Sequence, residues 1–314
     1  VLKRDLVRIK KVQENLYGVN MGATAVGTGL NADPAYIEAV GRYLALYSRK
    51  PVYIVENLVD GTQNTDAYTE TSSALKICML NLSKIANDLR LMASGPRCGL
   101  GELKLPACQP GSSIMPGKVN PVMAEVVNQI AFQVTGNDLT ISMASEAGQF
   151  ELNVMEPVLT FNLLQSINIM TNVLHVFKIH CIDGITINAE RGREYVEKSV
   201  GTITAINPYI GYEQASQIAK EAIITGRPVR ELVKERGILT DEEMEIILNP
   251  ENMTTPGISG AEVLGEKFHL KQSGKAGKKT PAEKLKAEDA DTSLAALLRE
   301  NELLAGRGIA GAGW

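Results

Sequence analysis

Three stretches of this chain, about 67–92, 122–143 and 157–179, each stay largely apolar for more than twenty residues with no proline beyond the first position. Soluble helices average about 11–12 residues, so three of this length in one chain already narrow the fold. In the first of them Leu75, Ile77, Met79, Leu80, Leu82, Ile85, Ala86 and Leu89 leave almost no polar face. A helix that is apolar all round has to be enclosed by other helices. Little of the chain alternates with the period of two that a half-buried strand requires. The expected fold class is all-α: an elongated central helix bundle, completed by partner subunits, with a small C-terminal helical domain.

Charge and composition exclude several functions. The 314 residues carry 32 Lys+Arg against 36 Asp+Glu, for a net charge of −4, and mean hydropathy is close to zero at −0.04. So balanced and mildly acidic a chain is a poor partner for nucleic acid or a membrane surface. No apolar run reaches the roughly 18–20 residues that span a bilayer. Cys78, Cys98, Cys108 and Cys181 lie far apart with no CxxC pair. That pattern points away from a disulfide framework or a zinc site, and toward a reducing, cytoplasmic setting. No nucleotide loop, metal cluster or cofactor-lysine motif is visible, so no metal and no organic cofactor are expected. The opening VLKRDLVRIKKV has neither a start Met nor an apolar signal core, and reads as the middle of a helix in a longer protein.

Punctuation divides the chain. Residues 2–18 read as an amphipathic helix, and the small-residue run MGATAVGTGLN over 21–31 reads as a compact loop in which Thr24 and Thr28 pack. Asp33-Pro34 is an N-cap followed by proline at the first helical position, opening a helix to about Ser48. VDGTQNTD over 59–66 reads as a polar break. From Asn188 the helices become short, broken at Asn207-Pro208, Gly226-Arg227-Pro228, Gly237 and Asn249-Pro250, with Thr240 to Glu243 forming a capping box. The expected domains are 1–187 for the bundle, 188–256 for the small helical domain, and 257–314 for a Gly- and Lys-rich linker and tail holding one amphipathic helix.

Residues 95–117 hold five Gly and four Pro, and end in Gly111-Ser112-Ser113-Ile114-Met115-Pro116-Gly117-Lys118-Val119-Asn120-Pro121. Two hydroxyls, an ammonium and a carboxamide within nine residues of a loop that feeds a long helix suit a carboxylate. On residue chemistry alone the plainer reading is favoured: the serines cap a turn, Lys118 is solvated, and Asn120 caps the next helix.

The loop GSSIMPGKVNP resembles the signature of the aspartase/fumarase superfamily of lyases, G-S-x-x-M-x-x-K-x-N, and so many defined positions make the resemblance specific. MGATAVGTGLN, SGPRCGLGE, GNDLTISMASEAGQFELNVMEPV and INPYIGYE resemble the same superfamily in the same order, together covering about residues 5–256. The signature is shared by both branches. SGPRCGLGE also looks fumarase-like, whereas Met21 to Thr24, Glu125 to Gln129 and Ala144 to Gln149 favour the aspartase branch.

The resemblance implies elimination of ammonia from L-aspartate to give fumarate. It assigns the Cβ proton to Ser112 as base, the β-carboxylate to Ser113, and the α-carboxylate to Lys118 and Asn120. Gly111 and Gly117 serve as loop hinges. Glu125 either orients a histidine of another subunit or is an ordinary helix residue. Glu146, Glu156, His175, His180 and His269 are expected to have no catalytic part. The family builds each active site where three subunits of a homotetramer meet, and two further substrate segments of the family, one rich in Ser/Thr/Asn and one with a Thr-His pair, are not found here. Ala124 stands where aspartases often carry proline. Two competing readings are a fumarate hydratase and a helical scaffold that has lost catalysis.

Overall fold

The computed structural model describes residues 1–266 apart from Pro96, together with Phe268. The amphipathic helix expected in the tail, and His269, lie outside the described residues. The chain forms two compact units, Val1–Arg193 and a second from Glu194 onward.

The first unit contains helices α1 (Leu2–Asn15), α2 (Pro34–Ser48), α3 (Leu58–Gln63), α4 (Asp66–Met92), α5 (Val122–Glu146) and α6 (Glu156–His180). Two short ladders accompany them. β1 (Gly18–Val19) pairs in parallel with β2 (Tyr53–Ile54), and β3 (Leu103–Lys104) pairs antiparallel with β4 (Thr186–Ile187). α4, at 27 residues, is about 40 Å long at 1.5 Å per residue. It packs on α1 and α5, and α5 packs on α6. Met79, Ala86, Ala124, Val127, Ala131, Val134, Ile141 and Leu159 form the buried centre. Alanines on α5 let the neighbouring backbones approach closely.

Each of these interfaces is stapled by buried polar groups. Between α1 and α4, the Asp5 carboxylate accepts from Arg8, and both of its oxygens accept from the Asn81 amide nitrogen. Between α4 and α5, Asp138 accepts from the Ser72 and Ser73 hydroxyls and the Lys76 ammonium. One turn-set away, Asn128 donates to Ser83 and accepts from Arg90. Between α5 and α6, the Asn137 amide donates to Gln165 and Ser166. A buried polar atom without a partner costs about 1–3 kcal/mol. Sliding any helix by one turn would strand several at once, so the staples set register as the apolar core alone would not.

Several expectations need correction. The polar break at 59–66 is largely helical, because the Asn57 side chain accepts from the Val59 and Asp60 N–H groups and starts α3. Thr24 and Thr28 are exposed rather than packed, and Thr24 has a left-handed φ of 60°, a strained value for a β-branched residue. The buried residues of that loop are Ala23 and Gly27. Leu80 points outward and is half exposed on α4. Residues 257–266, expected as linker, are folded into the second unit: Ser259 and Leu264 are buried, and the Tyr209 hydroxyl donates to the Ser259 carbonyl.

The second unit follows α7 (Ala189–Lys198) with α8 (Ile203–Ile210), α9 (Tyr212–Thr225), α10 (Val229–Glu235), α11 (Asp241–Ile247), α12 (Pro250–Met253) and α13 (Ala261–Leu264). Ile206, Ile218, Val233, Met244 and Ile247 are wholly buried at its centre. The capping box is present, with Glu243 N–H donating to the Thr240 hydroxyl and Thr240 N–H to the Glu243 carboxylate. Pro208 does not break its helix as expected. It sits inside α8, and the break comes at Gly211, whose φ is 82°.

Candidate active site

The 111–121 segment runs from the β3 side of the first unit to the start of α5. Its two arms are drawn together at the root. The Gly111 N–H donates to the Lys118 carbonyl at 2.7 Å, and the Asn120 side-chain N–H donates back to the Gly111 carbonyl at 3.1 Å. A Cβ on residue 111 would lie 2.7 Å from the Lys118 oxygen, so only glycine permits this approach. At the tip, Lys118 N–H donates to the Met115 carbonyl at 3.2 Å. Pro116 and Gly117, the latter at φ 79°, occupy the central positions of a type II turn, as that turn demands.

Inside this ring the Ser112 hydroxyl oxygen accepts two backbone N–H groups, those of Ile114 and Met115, each at 3.2 Å. The side chain is half-buried, while Ser113, Met115, Gly117 and Lys118 are exposed and Ile114 is 85% exposed. Among the described residues, the Lys118 ammonium and the Ser113 hydroxyl have no hydrogen-bond or ion-pair partner. Glu125 lies in the first turn of α5, half-buried, with its own N–H bonded to the Pro121 carbonyl at 3.1 Å. Ala124 beside it is fully buried.

The structure thus brings Gly111, Ser112, Lys118 and Asn120 into one closed loop at the positive end of the α5 dipole. It joins Glu125 to them only through the first turn of that helix. Asn120 does not cap α5, whose N-cap is Pro121. Its amide clasps the loop instead, a role that no sequence signal announced. His175, His180, Glu146 and Glu156 are exposed. Among the described residues no group of three His, Cys, Asp or Glu is placed to hold a metal ion, and no helix is long and apolar enough to cross a membrane.

Two family profiles match the chain, one described as "Lyase" over residues 1–136 and one as "Fumarase C C-terminus" over 203–255. The aspartate ammonia-lyase of Bacillus subtilis strain 168 is 66% identical over 264 residues, covering 84% of this chain and 56% of that protein. The chain belongs to the aspartase/fumarase superfamily. Within the superfamily, a solved structure of a fumarate lyase:delta crystallin from Brucella melitensis matches with a TM-score of 0.78 at 44% identity, over 81% of this chain and 55% of that one. A class II fumarase from Schistosoma mansoni matches with a TM-score of 0.76 at 32% identity, over 81% of this chain and 56% of that one. The chain spans about half the length of the curated relatives it matches. The superfamily's helical architecture accounts for the α4–α5–α6 bundle described above.

Proposed function

We propose that this chain is the signature-loop part of an aspartate ammonia-lyase, which reversibly eliminates ammonia from L-aspartate to give fumarate. The observation that carries the reading is the Ser112 hydroxyl with two N–H groups aimed at its oxygen. The difficult step is removal of a weakly acidic proton from Cβ beside the β-carboxylate. A serine can act as base only as an alkoxide, and paired backbone donors are the groups that lower the cost of forming one. As the proton leaves, charge accumulates on the β-carboxylate as a dianionic aci form, and Ser113, exposed next in the chain, is assigned to it.

Lys118 and Asn120 are assigned to the α-carboxylate. Lys118 supplies an ammonium with no internal carboxylate to satisfy, and Asn120 retains a second amide hydrogen beyond the one given to Gly111. Gly117 is the hinge of the tip turn, and Gly111 holds the root closed. Glu125 is a positioning residue for a group from a neighbouring subunit. The reading carries a cytoplasmic homotetramer with shared active sites, no obligatory cofactor and a dicarboxylate substrate. Identity of 66% to an aspartate ammonia-lyase, against 32% to a class II fumarase, supports the ammonia-lyase branch.

The test follows fumarate formation in the ultraviolet with L-aspartate, using a polypeptide that carries this chain at the full length of its curated relatives, beside its Ser112→Ala variant. Fumarate from aspartate that disappears in Ser112→Ala is the expected result. Fumarate from malate alone makes the protein a hydratase. A stable oligomer inactive on both substrates makes it a scaffold.

A further inference from the structure

Beyond the lyase chemistry, two thiols meet at the root of the signature loop. The β3–β4 ladder pairs Leu103 with Ile187 and Lys104 with Thr186. Beyond the ladder the two segments stay in contact at the 3-10 turn Ile182–Gly184: the Pro106 ring lies so close to residue 184 that a Cβ there would be 2.6 Å from its Cγ. Two residues further on, the Cys108 thiol donates to the His180 carbonyl at 3.3 Å. That oxygen is three covalent bonds from the Cα of Cys181, so the Cys108 sulfur sits within one peptide unit of its neighbour.

The two thiols are differently placed. Cys108 is exposed and Cys181 is buried at the end of α6. Burial pushes the Cys181 thiol up, and the nearby Cys108 adds to the effect. An oxidant from solvent therefore meets Cys108 first, while Cys181 is shielded from it by burial.

We propose that Cys108 and Cys181 are a redox-sensitive pair that closes to a disulfide and fastens the root of the 111–121 loop to the end of α6. With hydrogen peroxide as the two-electron oxidant, the Cys108 thiolate attacks the peroxide O–O bond, giving a sulfenic acid and hydroxide. The Cys181 thiol then attacks that sulfur, its S–O bond breaks, and water leaves as the S–S bond forms. Two thiols and one peroxide yield one disulfide and two waters. Cys108 lies three residues before Gly111, so the bridge ties down the arm that carries Ser112. This pairing rests on the Cys108 contact to the His180 carbonyl, next to Cys181, and stands whether or not the lyase reading holds.

The full chain is treated with hydrogen peroxide, its free thiols are alkylated, and it is digested with trypsin for mass spectrometry. The expected product links peptide 105–118 to peptide 179–191 with the loss of two hydrogens. It returns to the two separate peptides with dithiothreitol and is absent from Cys108→Ser, a surface change that leaves folding intact. Native digestion before denaturation reads the fastening, since cleavage after exposed Lys118 slows several-fold in the oxidised chain. A Cys108 that stops at sulfinic acid beside an alkylated Cys181 overturns the pairing, as does a bridge to Cys98 or to a second chain. A correct bridge with unchanged cleavage at Lys118 overturns the fastening.

Discussion

The α4–α5–α6 interfaces and the 111–121 loop draw on the same residue types and put them to opposite use. In the bundle, Ser72, Ser83, Asn128, Asn137 and Asp138 are buried, and each oxygen or amide named above is matched to a side chain on the facing helix. In the loop, Ser112 and Asn120 are half-buried and bonded only to backbone, while Ser113 and Lys118 face solvent. A serine whose partners are side chains across an interface serves register. A serine whose oxygen collects backbone N–H groups, with a bare ammonium six residues on, is left available for an outside anion. Burial and partner type separate structure from chemistry here, not residue identity.

That division can be broken by mutation. In the full-length context, Ser112→Ala is expected to lower aspartate turnover by about 10²–10⁴-fold, the range that a positioned proton-transfer group contributes, as followed by initial rates. Its unfolding free energy in urea should stay within about 1 kcal/mol of the parent, since only hydrogen bonds within a surface loop are lost. Asp138→Ala inverts the pattern. It leaves the Ser72 hydroxyl, the Ser73 hydroxyl and the partly exposed Lys76 ammonium without their acceptor, and should cost about 2–4 kcal/mol in a urea titration. If Asp138→Ala instead spares stability and removes turnover, the contrast drawn above is wrong.

Two smaller effects sharpen the picture. Thr240→Ala in the second unit removes one half of the capping box and should cost about 1 kcal/mol, seen as a lower thermal midpoint with turnover unchanged. The buried thiols give a weak pH dependence. Burial raises both Cys78 and Cys181 above the ordinary value of 9.0, so the unfolded chain releases their protons first as pH climbs. The stability they lend is intact below that value and falls as pH rises through the folded-state values. A Cys78→Ser, Cys181→Ser double variant should show a flatter stability curve between about pH 8.5 and 10, around the ordinary thiol range.

Much of the scaffold was legible before any coordinates. The three long apolar stretches became α4, α5 and α6, with ends within about three residues of their expected places. Asp33 capped α2, Thr240 and Glu243 closed their box, and the Met115–Lys118 turn follows from Pro-Gly at its centre. The site was legible as a motif, since eleven consecutive residues carried the resemblance. Its working geometry was not. Nothing in the sequence said that Asn120 would clasp Gly111, or that Cys108 would reach the carbonyl beside Cys181, 72 positions away along the chain. The helical hidden turn at 58–63 escaped because Gly61 and its polar neighbours resemble a loop, while the cap at Asn57 supplied what propensity lacked.

By itself, then, the sequence determined the long helices, several of their caps and the signature motif. Those features depend on interactions within about one helical turn, where spacing of 3.6 residues and capping chemistry act locally. Tertiary structure alone decided which polar groups would be consumed as staples and which would remain free. Ser83 meets Asn128 across 45 positions, and Asn188 meets Gly101 across 87, because the packing of whole helices sets those distances. No local pattern encodes a partner that only the closed bundle brings within reach.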